Sequence, residues 1–369
     1  MIYYLPIEPY EERFTFQLKL WTEAAFIRNN VDFITIEPQI KNEIIMKNGS
    51  ILDYWQRCKW CNLQINELLI MLQSDDNIEN AVIYFQDMFH PSIESLPYIF
   101  SQLNVNPKIY VHNLAQSMDI YDFTFPMIGW MRHYELMLDN FVSGIFVANE
   151  IHKELMMASG FKSKIIVTGL PFDVNEVRSR TGIIEWKERK NRVVFTSRLD
   201  KEKQPLFFLE VAKQVKNDER FSSVEFAILQ GGHFRSNDNE IYAALSTAKK
   251  SGEIVVYDNL KKNDYYRLLS ESRCQFNCSL QDFVSSTLNE ASAFFVPTVA
   301  PCFRGFPEVM VDVKENLYFP FSVEDAAQKI KNVLLQESIS LKISSPALIS
   351  NKTLDNVCKI INQKNKQAK

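Results

Sequence analysis

Two cations stand five residues apart in VVFTSRLDKEKQPLFFLEVAK, Arg198 just past an apolar run and Lys203 just before a helical pattern. A diphosphate presents the charge such a pair neutralises, arginine through its planar fork and lysine as a point charge. The same loop carries Asp200 and Glu202, so solvated salt bridges within it are the competing reading. Further on, SLQDFVSSTLNEASAFFVPTVAP separates two acids, Asp282 and Glu290, by seven residues. Phe283, Val284 and Ser285 form a loop there, and a helix is expected from about Ser286. The free N–H groups and positive dipole end of that helix suit a phosphate. Glu290, a turn inside, can accept hydrogen bonds from vicinal ribose hydroxyls, while Asp282 precedes the helix and can face a sugar. Gly231 and Gly232, after another apolar run, allow close backbone approach or simply a turn.

The N-terminal half offers fewer groups. Asp87 in YFQDMFHP ends an apolar run and suits either a base for an acceptor hydroxyl or a helix cap. His90 follows it as a weaker candidate, and His112 ends the run KIYVH, where a backbone hydrogen bond is the plain alternative. WQRCKWCN interleaves Arg57 and Lys59 with Trp55 and Trp60, a pattern fit either for a nucleic-acid contact or for a helix packing face. Arg132 and His133 add local positive charge. Cys58 and Cys61 form a CxxC with no second pair at zinc spacing, so free thiols are expected and no metal.

These groups need a scaffold, and the chain supplies an alternation of apolar runs with helical patterns. VDFITI, AVIYF, KIYVH, GIFVA and KIIVTG recur in the first half, then RVVFTS, VEFAILQ, EIVVYDNL, CQFNCS and VPTVAP in the second. Runs apolar on both faces, separated by helices, read as strands of parallel sheets. Between them, DVNEVRSRTGIIEWKERKN is polar and places a boundary near 172–191. The expected plan is a domain over 1–172, a second over 173–345, and a C-terminal helix with polar tail over 346–369. Ser322 and Asp325 read as a capping box. Two domains fit 369 residues, and 46% hydrophobic with 23% charged residues is a globular composition. A net charge of −4 gives no global attraction to nucleic acid. No uncharged apolar run reaches the roughly 18 residues of a membrane span, and MIYYLPIEPYEER lacks a signal-peptide pattern, so a cytoplasmic location is expected.

From Arg198 and Lys203, through NLKKNDYYRLLSESRCQFNCS, to Asp282, Glu290, Pro297 and GFPEVMVDVKENLYFPFSVEDAAQKI, the order of motifs resembles the family-four retaining glycosyltransferases of the GT-B fold. The resemblance covers about residues 190–336. It implies two Rossmann-like, doubly wound α/β domains facing each other across a cleft that closes on a nucleotide-sugar donor. It also implies retention of anomeric configuration; because two cations and a helix dipole can do a metal's work, no metal is expected, nor any bound cofactor. The first expectation for the donor is a UDP-sugar. By the same resemblance Asn259, in VYDNL, belongs to the segment that holds the nucleobase through backbone groups, and His112 lies near the donor sugar. Two departures stand out: Asp282 replaces the more usual Glu, and Phe283-Val284-Ser285 replaces Gly-Phe-Gly. The first strand-loop, with Pro9, Tyr10, Glu11 and Glu12, lacks the family's glycine-rich turn.

IYYLPIEPYEERFTFQL and HNLAQSMDIYDFTFPMIGWMRHYE resemble bacteriophage-encoded glycosyltransferases associated with hypermodified DNA bases. That implies a hydroxylated or hydroxymethylated pyrimidine in double-stranded DNA as acceptor, with Trp55, Arg57, Lys59 and Trp60 as contacts, in a host cytoplasm. The alternatives are a bacterial envelope glycosyltransferase, a catalytically silent scaffold and, less favoured, a sugar-nucleotide epimerase. An envelope enzyme calls for a basic amphipathic helix, and FTFQLKLWTEAAFIRN is poor in Lys and Arg.

Overall fold

The computed structural model describes residues 1–9, 14–38, 54–339 and 350–362. Tyr10, Glu11 and Glu12 of the first loop and the polar tail from 363 lie outside these. The chain divides into two compact units, the second running from Phe172 to Asn351 and the first taking in the residues before it together with those from Lys352 onward.

In the first unit the elements run β1 (Ile2–Leu5), α1 (Phe14–Arg28), β2 (Phe33–Thr35), α2 (Tyr54–Gln73), β3 (Val82–Phe85), α3 (Ser95–Leu103), β4 (Lys108–His112), α4 (Ile128–Phe141), β5 (Gly144–Val147), α5 (Glu150–Ala158) and β6 (Ile165–Val167). The strands form one parallel sheet in the order β2-β1-β3-β4-β5-β6. Because side chains alternate along a strand, Tyr3, Ile83, Ile109 and Ile145 join one core, while Tyr4, Tyr84 and Phe146 meet on the other face. Tyr4 and Tyr84 stack at 5.6 Å, and Phe146 meets Tyr84 edge-on at 6.0 Å. A Cβ at Gly144 would lie 3.2 Å from Ile166 Cδ1 and 3.3 Å from the Tyr110 ring, so those side chains would have to give by a few tenths of an ångström.

The second unit contains α6 (Val174–Ser179), β7 (Lys190–Phe195), α7 (Pro205–Lys216), β8 (Glu225–Leu229), α8 (Asn239–Ser251), β9 (Val255–Tyr257), α9 (Lys262–Ser270), β10 (Ser272–Phe276), α10 (Ser286–Ala293), β11 (Thr298–Pro301), α11 (Phe306–Val309), β12 (Leu317–Tyr318) and α12 (Val323–Leu334). Its parallel sheet has the order β12-β11-β10-β7-β8-β9. The two-residue β12 was too short to register as an apolar run. Phe195, Phe208, Phe226 and Phe276 fill the core beneath the sheet, with Phe195 and Phe208 5.2 Å apart. Each such ring contributes about 1.5–3 kcal/mol by leaving water.

The polar stretch before β7 is tied to this second core. Asp173 caps α6 by accepting from the Glu176 N–H, Trp186 Nε1 donates to the Gln336 carbonyl at 2.9 Å, and the Arg189 guanidinium donates to the carbonyls of Ile184, Phe294 and Phe295. At α12 the Ser322 hydroxyl accepts from the Asp325 N–H, but Asp325 turns to the Phe319 N–H at 2.7 Å, so the reciprocal half of the capping box is redirected. A last helix, α13 (Thr353–Asn362), returns to the first unit, where Asp355 accepts from Arg28 and Asn29 at 2.8 Å each.

Candidate functional site

In open α/β sheets ligands gather beyond the carboxyl ends of the strands where strand order reverses. In the second unit that point lies between β7 and β10. The loop after β7 carries Arg198 and Lys203, and the loop after β10 carries Ser279 and Asp282. The two loops are joined by the Leu280 N–H donating to the Glu202 carbonyl at 2.9 Å.

Lys203 is buried at 6% exposure, and its Nζ donates to Asp282 Oδ1 at 2.7 Å and to Ser279 Oγ at 3.1 Å. Asp282 thus sits as the lysine's counter-ion, a contact the sequence spacing did not suggest. Arg198 takes the alternative that spacing had offered: it pairs with Asp200, and its Nη2 donates to Glu202 at 3.0 Å. Burial pushes the Glu202 carboxyl up, with Arg198 opposing. Both cations therefore keep a local acid, which any anion bound between them would have to displace or share.

Helix α10 begins at the same end of the sheet. Ser285 is its N-cap residue, yet its hydroxyl contacts the side chains of Asn277 (3.2 Å) and Thr287 (3.0 Å) instead of capping the helix. The first-turn N–H groups are thereby left without a side-chain acceptor, which is the condition for anion binding at a helix start. Gln275 fixes the start of this helix by donating to Thr196 Oγ1 at 2.7 Å and to the Thr287 carbonyl at 3.0 Å. Phe283 is buried beneath the Arg304 guanidinium, 5.1 Å from its ring centre, and Val284 is half-buried.

Glu290 is buried at 4% and held by α9: Tyr265 donates at 2.8 Å, Tyr266 at 3.1 Å and Lys262 Nζ at 3.1 Å. Lys262, Tyr265 and Tyr266 were not singled out from sequence, although their i, i+3, i+4 spacing places them on one helix face. Lys262 and Tyr266 both donate to Oε1 and Tyr265 alone to Oε2, so Oε2 keeps a lone pair for a ribose hydroxyl. Glu290→Gln is expected to weaken nucleotide affinity about 10-fold, since charge-assisted hydrogen bonds contribute about 1.5–3 kcal/mol; titration calorimetry with UDP checks it, and an unchanged dissociation constant removes the ribose role.

Gly231 and Gly232 are exposed in the loop after β8. The Gly232 carbonyl accepts from the Asn259 N–H at 2.9 Å, and Asn259 itself adopts a left-handed backbone with φ of 54°. Gln230 joins the loops after β7, β8 and β9, donating from Nε2 to the Ser197 carbonyl and accepting at its carbonyl from the Leu260 N–H.

In the first unit strand order reverses between β1 and β3. Asp87 follows β3, and its Oδ1 accepts from the Phe89 N–H at 3.0 Å in a local turn, so it caps no helix. Its Oδ2 accepts from Arg57 Nη2 at 3.0 Å. Burial pushes the Asp87 carboxyl up to about 6, against the pull of Arg57. His112, at the end of β4, is buried, and its Nδ1 lies 3.5 Å from the Tyr84 hydroxyl. Burial lowers it to about 4, opposed by the Gly169 carbonyl, so it is a neutral imidazole at pH 7. His90 belongs to the core. Gln64 Nε2 donates to the carbonyls of Pro6 and Ile36, leaving Oε1 to accept from His90 Nε2 at 3.0 Å, and burial lowers His90 to about 3.

The structure corrects two of the four expected DNA contacts. Arg57 is 3% exposed with both Nη atoms committed to carboxylates, and Trp60 is 4% exposed, lying along the packing face of α2. Neither can meet a duplex without unfolding that face. Trp55, 74% exposed, and Lys59 point outward from the same helix. Arg132 lies over the Phe161 ring at 5.0 Å and 3.6 Å from Glu135, while His133 is exposed. Cys58 is exposed and Cys61 buried, both as free thiols.

Residues 180–348 match the family model for glycosyl transferases group 1. Among solved structures, the chain is similar to the sucrose-phosphate synthase of Thermosynechococcus elongatus, with a TM-score of 0.67 and 10% identity over 100% of this chain and 98% of that one. It is similar to the UDP-forming alpha,alpha-trehalose-phosphate synthase of Burkholderia xenovorans, with a TM-score of 0.60 and 10% identity over 85% and 78%. It also resembles TarM, with a TM-score of 0.56 and 14% identity, spanning 83% of this chain but only 55% of TarM's length. No curated protein matches the chain by sequence. The chain has the fold of the GT-B glycosyltransferases, two Rossmann-like domains each on a parallel sheet, and the match of its residues 180–348 to the group 1 model supports sugar transfer as its chemistry.

Proposed function

We propose that the protein transfers a sugar from a UDP-sugar to an acceptor hydroxyl with retention of anomeric configuration and without a metal. The observation that carries this reading is the cluster at the β7/β10 reversal: Lys203 and Arg198 on one loop, an uncapped start to α10, and Glu290 one turn inside it. Cations and helix dipole together supply the charge stabilisation that a divalent ion would otherwise give to a departing diphosphate. Glu290 holds the ribose, and the loops after β8 and β9, joined by the Asn259-to-Gly232 hydrogen bond, line the base. Kinship of fold with a UDP-forming synthase supports UDP as the nucleotide.

In the first unit Asp87 accepts the acceptor proton and neutral His112 contacts the donor sugar through a hydrogen bond. The C1–oxygen bond to the diphosphate breaks as the acceptor oxygen bonds C1 from the same face; the departing diphosphate oxygen accepts a hydrogen bond from the acceptor hydroxyl as its proton passes to Asp87. For the acceptor, the sequence resemblance and the exposed Trp55 and Lys59 support a hydroxymethylated pyrimidine in DNA.

The test is incubation with UDP-sugars in EDTA, with and without hydroxymethylcytosine DNA. Free UDP is followed by chromatography, nucleosides by mass spectrometry and product anomer by proton NMR. UDP release, a hexose mass gain on the modified base and an α-linked product from an α-donor are expected. An inverted anomer overturns retention; UDP release without any gain on DNA overturns the DNA acceptor alone; no release from any donor overturns the transferase reading.

A further inference from the structure

Outside the donor loops, a buried charge cluster lies at the β1/β3 reversal of the first unit. Glu8 follows β1, Asp87 follows β3, and Arg57 reaches both from α2. Its Nη1 pairs with Glu8, while its Nη2 donates to Asp87 Oδ2 at 3.0 Å and to the Phe89 carbonyl at 2.6 Å. We propose that Arg57 is the positioning residue of the acceptor-activating carboxylate, fixing Asp87 in one orientation and keeping it ionised, with Glu8 as the opposing charge. The inference rests on the reading of Asp87 as the base.

Orientation follows from the bonds. The Phe89 N–H holds Oδ1 and the guanidinium holds Oδ2, so the carboxylate plane cannot turn, yet each oxygen keeps a lone pair for an incoming hydroxyl. Ionisation follows from the charge balance. Two carboxylates share one guanidinium, and an interior that must carry a net negative charge raises the affinity of one of them for a proton. Asp87 is the more accessible, with its side chain 12% exposed against 2% for Glu8. Burial drives its carboxyl upward, Arg57 pulls it down, and Glu8 and Asp122 push it up.

The other titratable neighbours are uncharged at neutral pH. The Cys61 thiol of α2 is pushed up to about 12 by burial, the Tyr134 phenol of α4 lies well above its ordinary value, and the His90 imidazole is depressed to about 3. Among these neighbours Arg57 is the one cation facing Asp87. A residue needed only to fill the buried stripe of α2 would be apolar, because a buried ion pair gives little net stability over well-packed hydrophobic groups.

The test uses the intact chain carrying ¹³C at the aspartate side-chain carboxyls, with the Asp87 resonance identified by its absence in Asp87→Asn. A midpoint near 6 is expected in the unsubstituted protein. Arg57→Gln moves it up by about one unit or more, and Arg57→Lys keeps it near its original position, since an opposite charge within hydrogen-bonding reach shifts a carboxyl by roughly one to three units. Glu8→Gln moves it down, and this variant carries the test if Arg57→Gln does not fold. UDP release from a UDP-sugar in Arg57→Gln should fall about 10-fold at pH 7 and recover toward pH 9 as the raised carboxyl ionises. Midpoints that stay put in both Arg57→Gln and Glu8→Gln, or a loss of turnover equal at every pH, overturn the proposal and leave Arg57 a packing residue. Wild-type turnover in Asp87→Asn overturns instead the base reading beneath it, whatever the midpoints do.

Discussion

Exchange of Lys203 for Met is expected to lower UDP release by roughly 10²–10³-fold, the loss that follows when one preorganised partner of a developing negative charge is removed. Stability should fall as well. Lys203 and Asp282 have side-chain exposures of 8% and 19%, and the Met variant leaves Asp282 without its cation. Breaking a buried pair from one side costs about 3–5 kcal/mol, and the partial exposure of Asp282 puts this case toward the lower end. The two effects separate in a double variant. Lys203→Met with Asp282→Asn removes the orphaned charge, so the urea midpoint should return toward that of the parent while turnover stays low. Recovery of turnover along with stability would mean that Lys203 matters only as the partner of Asp282. Arg198 offers the contrast: at 36% side-chain exposure its pairs with Asp200 and Glu202 are semi-exposed, and Arg198→Ala should unfold at nearly the parental urea concentration.

The difference between these two cations marks where sequence stops being informative. Runs such as AVIYF and RVVFTS became β3 and β7 because strands covered on both faces must be apolar throughout, a property of composition that needs no knowledge of neighbours. The acid spacing from Asp282 to Glu290 likewise survived, since the loop and helix between them are local. Partners across the fold did not. Arg198 found its acids two and four residues away, whereas Lys203 found Asp282 79 residues on. Arg57 is the sharper case. Residues 57, 61, 64, 65, 68 and 72 form a helical stripe that α2 buries, so the arginine lies on the packing face despite its charge. That stripe was visible in the sequence; the carboxylates that make it tolerable, 49 and 30 residues away, were not.

Asp87→Asn should cost the most in chemistry and the least in donor binding. A positioned base contributes about 10²–10⁴-fold, and the asparagine amide keeps the size and one acceptor of the carboxylate without its basicity. The donor loops belong to the second unit, so the UDP dissociation constant should be unchanged. In the parent, turnover is expected to rise as pH climbs through about 6, because only the ionised carboxyl can take a proton, and to level off above it. Asp87→Asn should lose that limb together with the rate. Stability runs the other way. A carboxyl raised in the fold from 3.8 to about 6 binds its proton more tightly when native than when unfolded. Its contribution therefore grows as pH falls from about 6 toward 4 and fades as pH rises through 6, a slope that Asp87→Asn should flatten. A parental limb near pH 6 that persists in Asp87→Asn would move the base elsewhere. Glu202, whose carboxyl is also pushed up by burial, would then be the next to replace.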